Sequence, residues 1–244
     1  GNCAYFTRRI MDLAAADGVA FRFDAAVTDL AFDGNRFVQA RTAAGTIAAD
    51  ALVIATGADS GRLLRRAGVR LPLYPVKGYS LTARITRLEF APLVSVMDEA
   101  FKVAVTRMGN RLRIAGTAEL GSRRLTVRDA ALGTLLKVAR DWFPGAADYG
   151  QAQPWVGARP MLPDGPPVLG VTPVANVYLN VGHGSTGWAM ACGSARLLAG
   201  IVAGIDQHRV AGRLAGDDEA VLVKGRHGAG FDQHEGQNTE SSSQ

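Results

Sequence analysis

The sequence predicts a mixed α/β fold in which a parallel sheet is joined to an antiparallel one, and three observations carry that reading. The solid apolar run 51–55 and a second buried strand, 177–181, each end in a glycine turn and pass into a helical pattern. Strands buried on both faces of a parallel sheet read this way. Between them, residues 74–85, 93–97, 102–106 and 112–117 are short alternating segments, the pattern of half-buried antiparallel strands. Among 244 residues there are 29 glycines, and aromatics make up only 7%. That balance suits many tight turns better than an aromatic-rich sandwich.

The elements follow in order. Tyr5, Phe6, Ile10, Met11 and Leu13 recur at helical spacing, and Asp17-Gly18 closes that helix. Residues 19–23 alternate as a strand. Residues 28–32 and 36–42 pair as a hairpin around Asp33-Gly34-Asn35, and 46–48 add a short strand. After the buried run ending in Thr56-Gly57-Ala58, Ser60 is placed to cap a helix over 61–67 that stops at Gly68. Residues 130–142 form a helix ended by Pro144-Gly145. Residues 157–167 hold four prolines and two glycines and read as a rigid loop. A long helix follows over 188–203. Two parts of one domain, 1–75 with 151–205, flank an antiparallel domain at 76–150, and 206–244 reads as a disordered tail. Three of the four histidines lie in that tail at spacings that do not suit one metal site.

Charge narrows the function classes. The net charge is +5. From Asp206 onward four basic and seven acidic residues give −3, which leaves +8 on 1–205. A basic body implies an anionic partner: a phosphate-bearing cofactor, an acidic substrate or a membrane surface. Basic residues do not interleave with aromatics, so nucleic acid is excluded as the expected partner. Cys3 and Cys192 show no framework or CxxC spacing. No apolar run reaches the length of a membrane-spanning helix.

Four segments carry chemistry. Gly182-His183-Gly184-Ser185-Thr186-Gly187 joins a buried strand to a helix start, where open N–H groups and the helix dipole favour an anion. Gly182, Gly184 and Gly187 formally satisfy GxGxxG. The dinucleotide fingerprint also needs a following strand that ends in an acidic residue, and none precedes Asp206. A tight strand–helix turn therefore explains the glycines equally well. Thr56-Gly57-Ala58 ends the other buried strand, at the sheet end where ligands bind. Arg159, in the proline-rich segment, offers a bidentate fork for a carboxylate, or else it braces its loop. Pro75 to Tyr79 lies at the junction of the two sheets, where clefts form. There Tyr79 is equally a core residue and Lys77 a solvated charge.

The order of these segments is specific. It runs Ile54-Ala55-Thr56-Gly57-Ala58, then Tyr74-Pro75-Val76-Lys77-Gly78-Tyr79-Ser80, then Trp155-Val156-Gly157-Ala158-Arg159-Pro160-Met161-Leu162-Pro163-Asp164-Gly165. It closes with Leu179-Asn180-Val181 and the Gly182 to Gly193 stretch. Together with Asp98-Glu99-Ala100-Phe101-Lys102 and Thr106-Arg107, the series resembles the FAD-dependent D-amino-acid oxidase superfamily. Within it, the series is most like bacterial D-amino-acid dehydrogenases of the small-subunit type. The resemblance covers residues 1–204. The family pattern opens with a strand, a true GxGxxG and a helix that hold the ADP half of FAD. This chain matches only the carboxyl-terminal half to two-thirds, so the resemblance implies a partner or upstream segment supplying that unit.

The resemblance implies an FAD/NAD(P)-binding-type parallel sheet, FAD as cofactor and oxidation of a D-alanine-like D-amino acid to a 2-oxo acid and ammonia. Hydride would pass to flavin N5 and electrons to a quinone or other respiratory acceptor. It implies a cytoplasmic protein held peripherally at the inner membrane. Thr56, Gly57 and Ala58 would lie near the pyrophosphate and ribose, and Val27 would contact the adenine through its backbone. Pro75, Lys77 and Gly78 would run beside the isoalloxazine, and Gly182, His183, Gly184, Ser185, Thr186, Gly187 and Trp188 would face its N1–C2=O edge. Arg159 would bind the substrate carboxylate, with Tyr79 beside it. His183 is a weak candidate for a base, because the flavin supplies the hard chemistry. Two other readings stand: an oxygen-using glycine or sarcosine oxidase, and a non-catalytic subunit that needs a partner for its nucleotide-binding unit.

Overall fold

The computed structural model describes residues 2–121 and 123–205; the expected tail at 206–244 lies outside them. Helix α1 (Cys3–Ala16) begins where Asn2 Oδ1 accepts a hydrogen bond from Tyr5 N at 3.1 Å. It buries none of its side chains. Phe6 meets Trp188 edge-on with ring centroids 5.4 Å apart. Residues 19–23, expected as a strand, form none. Alternation selects faces, but a strand exists only where a neighbour completes its hydrogen bonds, and no described strand pairs with this segment.

Strands β1 (Val27–Asp33), β2 (Arg36–Thr42) and β3 (Gly45–Ala48) form an antiparallel sheet. Gly34 takes φ +53° in the first turn. Next come β4 (Leu52–Ile54), a 3₁₀ turn at Gly57–Asp59, and α2 (Ser60–Arg66). The turn starts the helix early, so Ser60 lies inside it rather than capping it, and its Oγ bonds Thr56 Oγ1 at 3.0 Å.

The antiparallel segments are β5 (Tyr74–Arg84), β6 (Val96–Asp98), β7 (Val103–Met108) and β8 (Arg111–Glu119), followed by α3 (Asp129–Trp142) and β9 (Gln153–Met161). They make one five-stranded sheet, ordered β6-β7-β8-β5-β9. α3 covers one face, where Leu135, Val138 and Ala139 pack on Tyr79, Leu81, Ala83, Val103, Leu112 and Ile114. The expected rigid loop at 157–167 is corrected over its first half. Residues 157–161 belong to β9, which lies at the sheet edge, and an edge strand tolerates the missing donors of Pro154 and Pro160.

The chain ends with β10 (Val168–Val171), β11 (Val177–Val181) and α4 (Gly187–Val202). β11 pairs with β10 antiparallel and with β4 parallel, so the parallel pairing is a single ladder. Ile54, Val177, Leu179 and Val181 build a core with Phe37, Leu63 and Leu64. The expected burial of β4 on both faces does not hold, because this short edge strand leaves Val53 exposed. Asn176 ties the hairpin to this sheet: its Oδ1 accepts from Phe37 N at 2.8 Å, and its amide donates to the Phe37 and Asp50 carbonyls.

Candidate functional site

The two strands of the parallel ladder, β4 and β11, finish at the same end of their sheet, and both endings lie against β9. The 3₁₀ turn after β4, which contains Gly57 and Ala58, packs on β9. The turn after β11 docks onto its last residues. Gly184 N donates to the Pro160 carbonyl at 3.1 Å. Gly182 and Gly184 take φ +83° and +53°. A Cβ on Gly182 would come within 2.4 Å of Leu162 Cδ1, and one on Gly184 within 2.7 Å of Met161 Sδ. Glycine is required twice over here, by backbone handedness and by closeness. β5 enters the same corner through the pairs Tyr74–Met161, Pro75–Pro160 and Val76–Arg159. The structure therefore brings Thr56–Ala58, Pro75–Gly78, Arg159 and Gly182–Gly187 together around one edge strand.

Arg159 lies on the face of the five-stranded sheet that α3 leaves uncovered. Its guanidinium is laid across Gly78, so close that a Cβ there would fall 2.4 Å from Nη2. Nη1 donates to the Lys77 carbonyl at 3.4 Å. Gly78 pairs with Gly157 across the ladder, and the Trp155 ring lies over Gly157 in the same manner. Two facing glycines thus make a floor, with a half-buried cation on one side and an aromatic ring on the other.

Tyr79 and Lys77 face the opposite way. Tyr79 is buried in the α3-covered core, with its hydroxyl donated to Glu119 Oε2. Burial, then the bond to Glu119, push its pKa up. Lys77 is not a solvated charge: its ammonium is buried and lies 2.7 Å from Glu119 Oε1. Arg128 adds a second contact to that oxygen at 3.3 Å. Hydrogen bonds from Lys77 and Tyr79 lower the Glu119 pKa to about 2. The geometry does not bring Tyr79 to Arg159; the backbone of Lys77, not its side chain, reaches that residue.

The other candidates take partners of their own. The carbonyl of Val27 accepts from Arg62 Nη2 at 2.8 Å. The carbonyl of Ala58 accepts from Arg123 at 3.2 Å. His183 Nε2 lies 2.9 Å from Ser194 Oγ on α4, and burial lowers its pKa, so the ring is neutral near pH 7. Thr186 Oγ1 bonds the His183 carbonyl at 3.2 Å, and the Ser185 hydroxyl points toward the Met161 sulfur. No side chain caps the start of α4, so its first N–H groups have no side-chain acceptor. Trp188 is half exposed. Sequence reasoning missed Glu119 as the partner of Lys77 and Tyr79 and used Trp155 only as part of a motif. Residue parity along β8 and β9 was the available signal, but it becomes readable only once the register is known.

Comparison with known proteins fits this arrangement. A family model described as "FAD dependent oxidoreductase" matches residues 1–201. The D-amino acid dehydrogenase of Vibrio cholerae serotype O1 (strain M66-2) is 46% identical over 202 residues, covering 83% of this chain and 48% of the relative. That of Methylobacterium radiotolerans is 46% identical over 230 residues, covering 94% and 53%. Among solved structures, glycine oxidase from Geobacillus kaustophilus matches with TM-score 0.68 and 31% identity over 79% of this chain and 52% of that one. The chain spans about half the length of the curated relatives it matches. With residues 1–201 of 244 matched, the chain belongs to the FAD dependent oxidoreductase family, DAO.

Proposed function

We propose that this chain supplies the substrate-contacting half of an FAD-dependent D-amino-acid dehydrogenase. The observation that carries the reading is the convergence of both parallel-strand ends, the uncapped start of α4 and Arg159 on one edge of β9. We take 1–75 with 151–205 as the flavin-contacting part and 76–150 as the substrate part, with β9 pairing along the latter.

The residues present fit the ring side of the cofactor. The glycines at 182 and 184 bring the backbone close, and the N–H groups opening α4 suit an edge that becomes negative. When bound, a flavin would supply the hydride acceptor for the substrate Cα. The chain's own residues do the rest. Arg159, its guanidinium seated on the bare backbone of Gly78, holds the carboxylate by a charge-assisted fork. His183, facing Ser194 and lacking a carboxylate partner, keeps the α4 start in place rather than taking the amine proton. The imino acid released would be hydrolysed by water to a 2-oxo acid and ammonia. Electrons pass to a quinone or respiratory carrier, in a complex lying at the inner face of the membrane; among the described residues no helix is long and apolar enough to cross it.

The test is reconstitution. The chain is mixed with a separately expressed amino-terminal half of the Vibrio cholerae relative and FAD, and D-alanine-driven dye reduction is followed under argon and in air. Dye reduction without peroxide is expected. Flavin bands with no reduction by any D-amino acid would overturn the reading; peroxide release would move it to an oxidase.

A further inference from the structure

We propose that the uncovered face of the five-stranded sheet selects the substrate side chain through Trp155 and Arg113, favouring neutral flat or apolar side chains over basic ones. This rests on Arg159 being the carboxylate clamp. Directly paired residues in an antiparallel ladder share a face. Ser80 pairs with Trp155 on one side and Ala115 on the other, and Thr82 pairs with Arg113. With Gly78, Gly157 and Arg159, these residues form one continuous row on the side away from α3.

Three features mark the row as built for a ligand. Trp155 is 57% exposed, an unusual position for an indole beside a half-buried cation. Its ring rests on Gly157, where a Cβ would sit 2.2 Å from Cη2, while more than half of the residue stays exposed. The Ser80 hydroxyl, next to it in the ladder, is buried without a hydrogen-bond partner. Such an orphan is costly and is satisfied if a polar group or water arrives on this face.

Arg113 settles the sign. Its guanidinium lies 5.8 Å from the Trp155 ring centroid, so a side chain stacking on the indole meets a fixed positive charge. A lysine-like or arginine-like side chain is repelled there. An apolar or aromatic one gains the ring contact, worth roughly three- to tenfold in affinity.

The test reads binding, independent of turnover. The full chain is titrated calorimetrically with benzoate and with isobutyrate, as wild type, W155L, W155F, R113Q and R159A. Melting curves confirm that each variant is folded. Wild type is expected to prefer benzoate by roughly three- to tenfold. W155L should erase the preference and W155F restore it. In the reconstituted enzyme, R113Q should raise kcat/KM for D-lysine relative to D-norleucine. If R159A loses both carboxylates while W155L keeps the preference, the side-chain wall is wrong and the clamp stands. If R159A binds both normally, the clamp itself is wrong. A wild-type chain that binds neither overturns both.

Discussion

The two faces of the five-stranded sheet differ in almost every physical respect. On the α3 side, Tyr79, Leu81, Leu112 and Ile114 are buried, and the polar groups are paired: Lys77 with Glu119, and Tyr79 with Glu119. On the other side two glycines face each other, a tryptophan is exposed, a serine hydroxyl is unpaired, and an arginine lies across bare backbone. One face is finished by its own chain and the other is left for something else to complete. Because strand side chains alternate, a single peptide segment, 74–84, serves both. Under the proposed function, stability and ligand contact are separated by parity rather than by domain.

If that division is right, mutations on the two faces should have different signatures. Leu112→Ala, on the finished face, should cost about 2–5 kcal/mol in unfolding free energy, read by denaturant titration. Loss of less than 1 kcal/mol would break the comparison. Arg159→Ala, on the open face, should raise KM for D-amino acids roughly ten- to hundredfold in the reconstituted enzyme while hardly moving flavin affinity. Equal loss of both would deny the clamp. Gly78→Val forces the guanidinium away from its seat, so a smaller but parallel rise in KM is expected, with secondary structure retained by circular dichroism.

Acid tests the finished face. The folded-state pKa of Glu119 is lowered from 4.5 to about 2. Its stabilising contribution is therefore full above the unfolded value and is lost as pH falls from about 4.5 toward about 2. Glu119→Gln should be less stable at pH 7 and show a flatter acid limb in melting temperature than wild type. The smallest effect expected is at His183, whose pKa is lowered by burial. Protonation opposes folding there, so stability falls as pH drops below about 6.5. His183→Asn should remove that shallow step.

Much of this was legible in the residues. The hairpin at 33–35, the runs at 51–55 and 177–181, the helix at 130–142 and the Gly182–Gly187 turn all declare themselves through local patterns, and the structure contains them. Arg159 reads as a loop residue in the sequence and lies on β9 in the structure. Its prolines signal a breaker locally, whereas an edge strand makes their missing donors harmless. Lys77 read as solvated because its partner, Glu119, is distant in sequence and is brought opposite only by the β5–β8 register. The 19–23 segment misled in the opposite direction: it has the alternation of a strand and pairs with no strand among the described residues.

The facing glycines at 78 and 157 have one more consequence. Where a ladder rung has no side chains, the space above it is shaped by neighbours that lean in from positions 155 and 159. Altering what that space accepts then requires replacing only the leaning groups, while the hydrogen-bonded framework beneath is untouched. Under the proposed function, a protein laid out this way can drift from one amine to another through a few substitutions at those positions without rebuilding its interior.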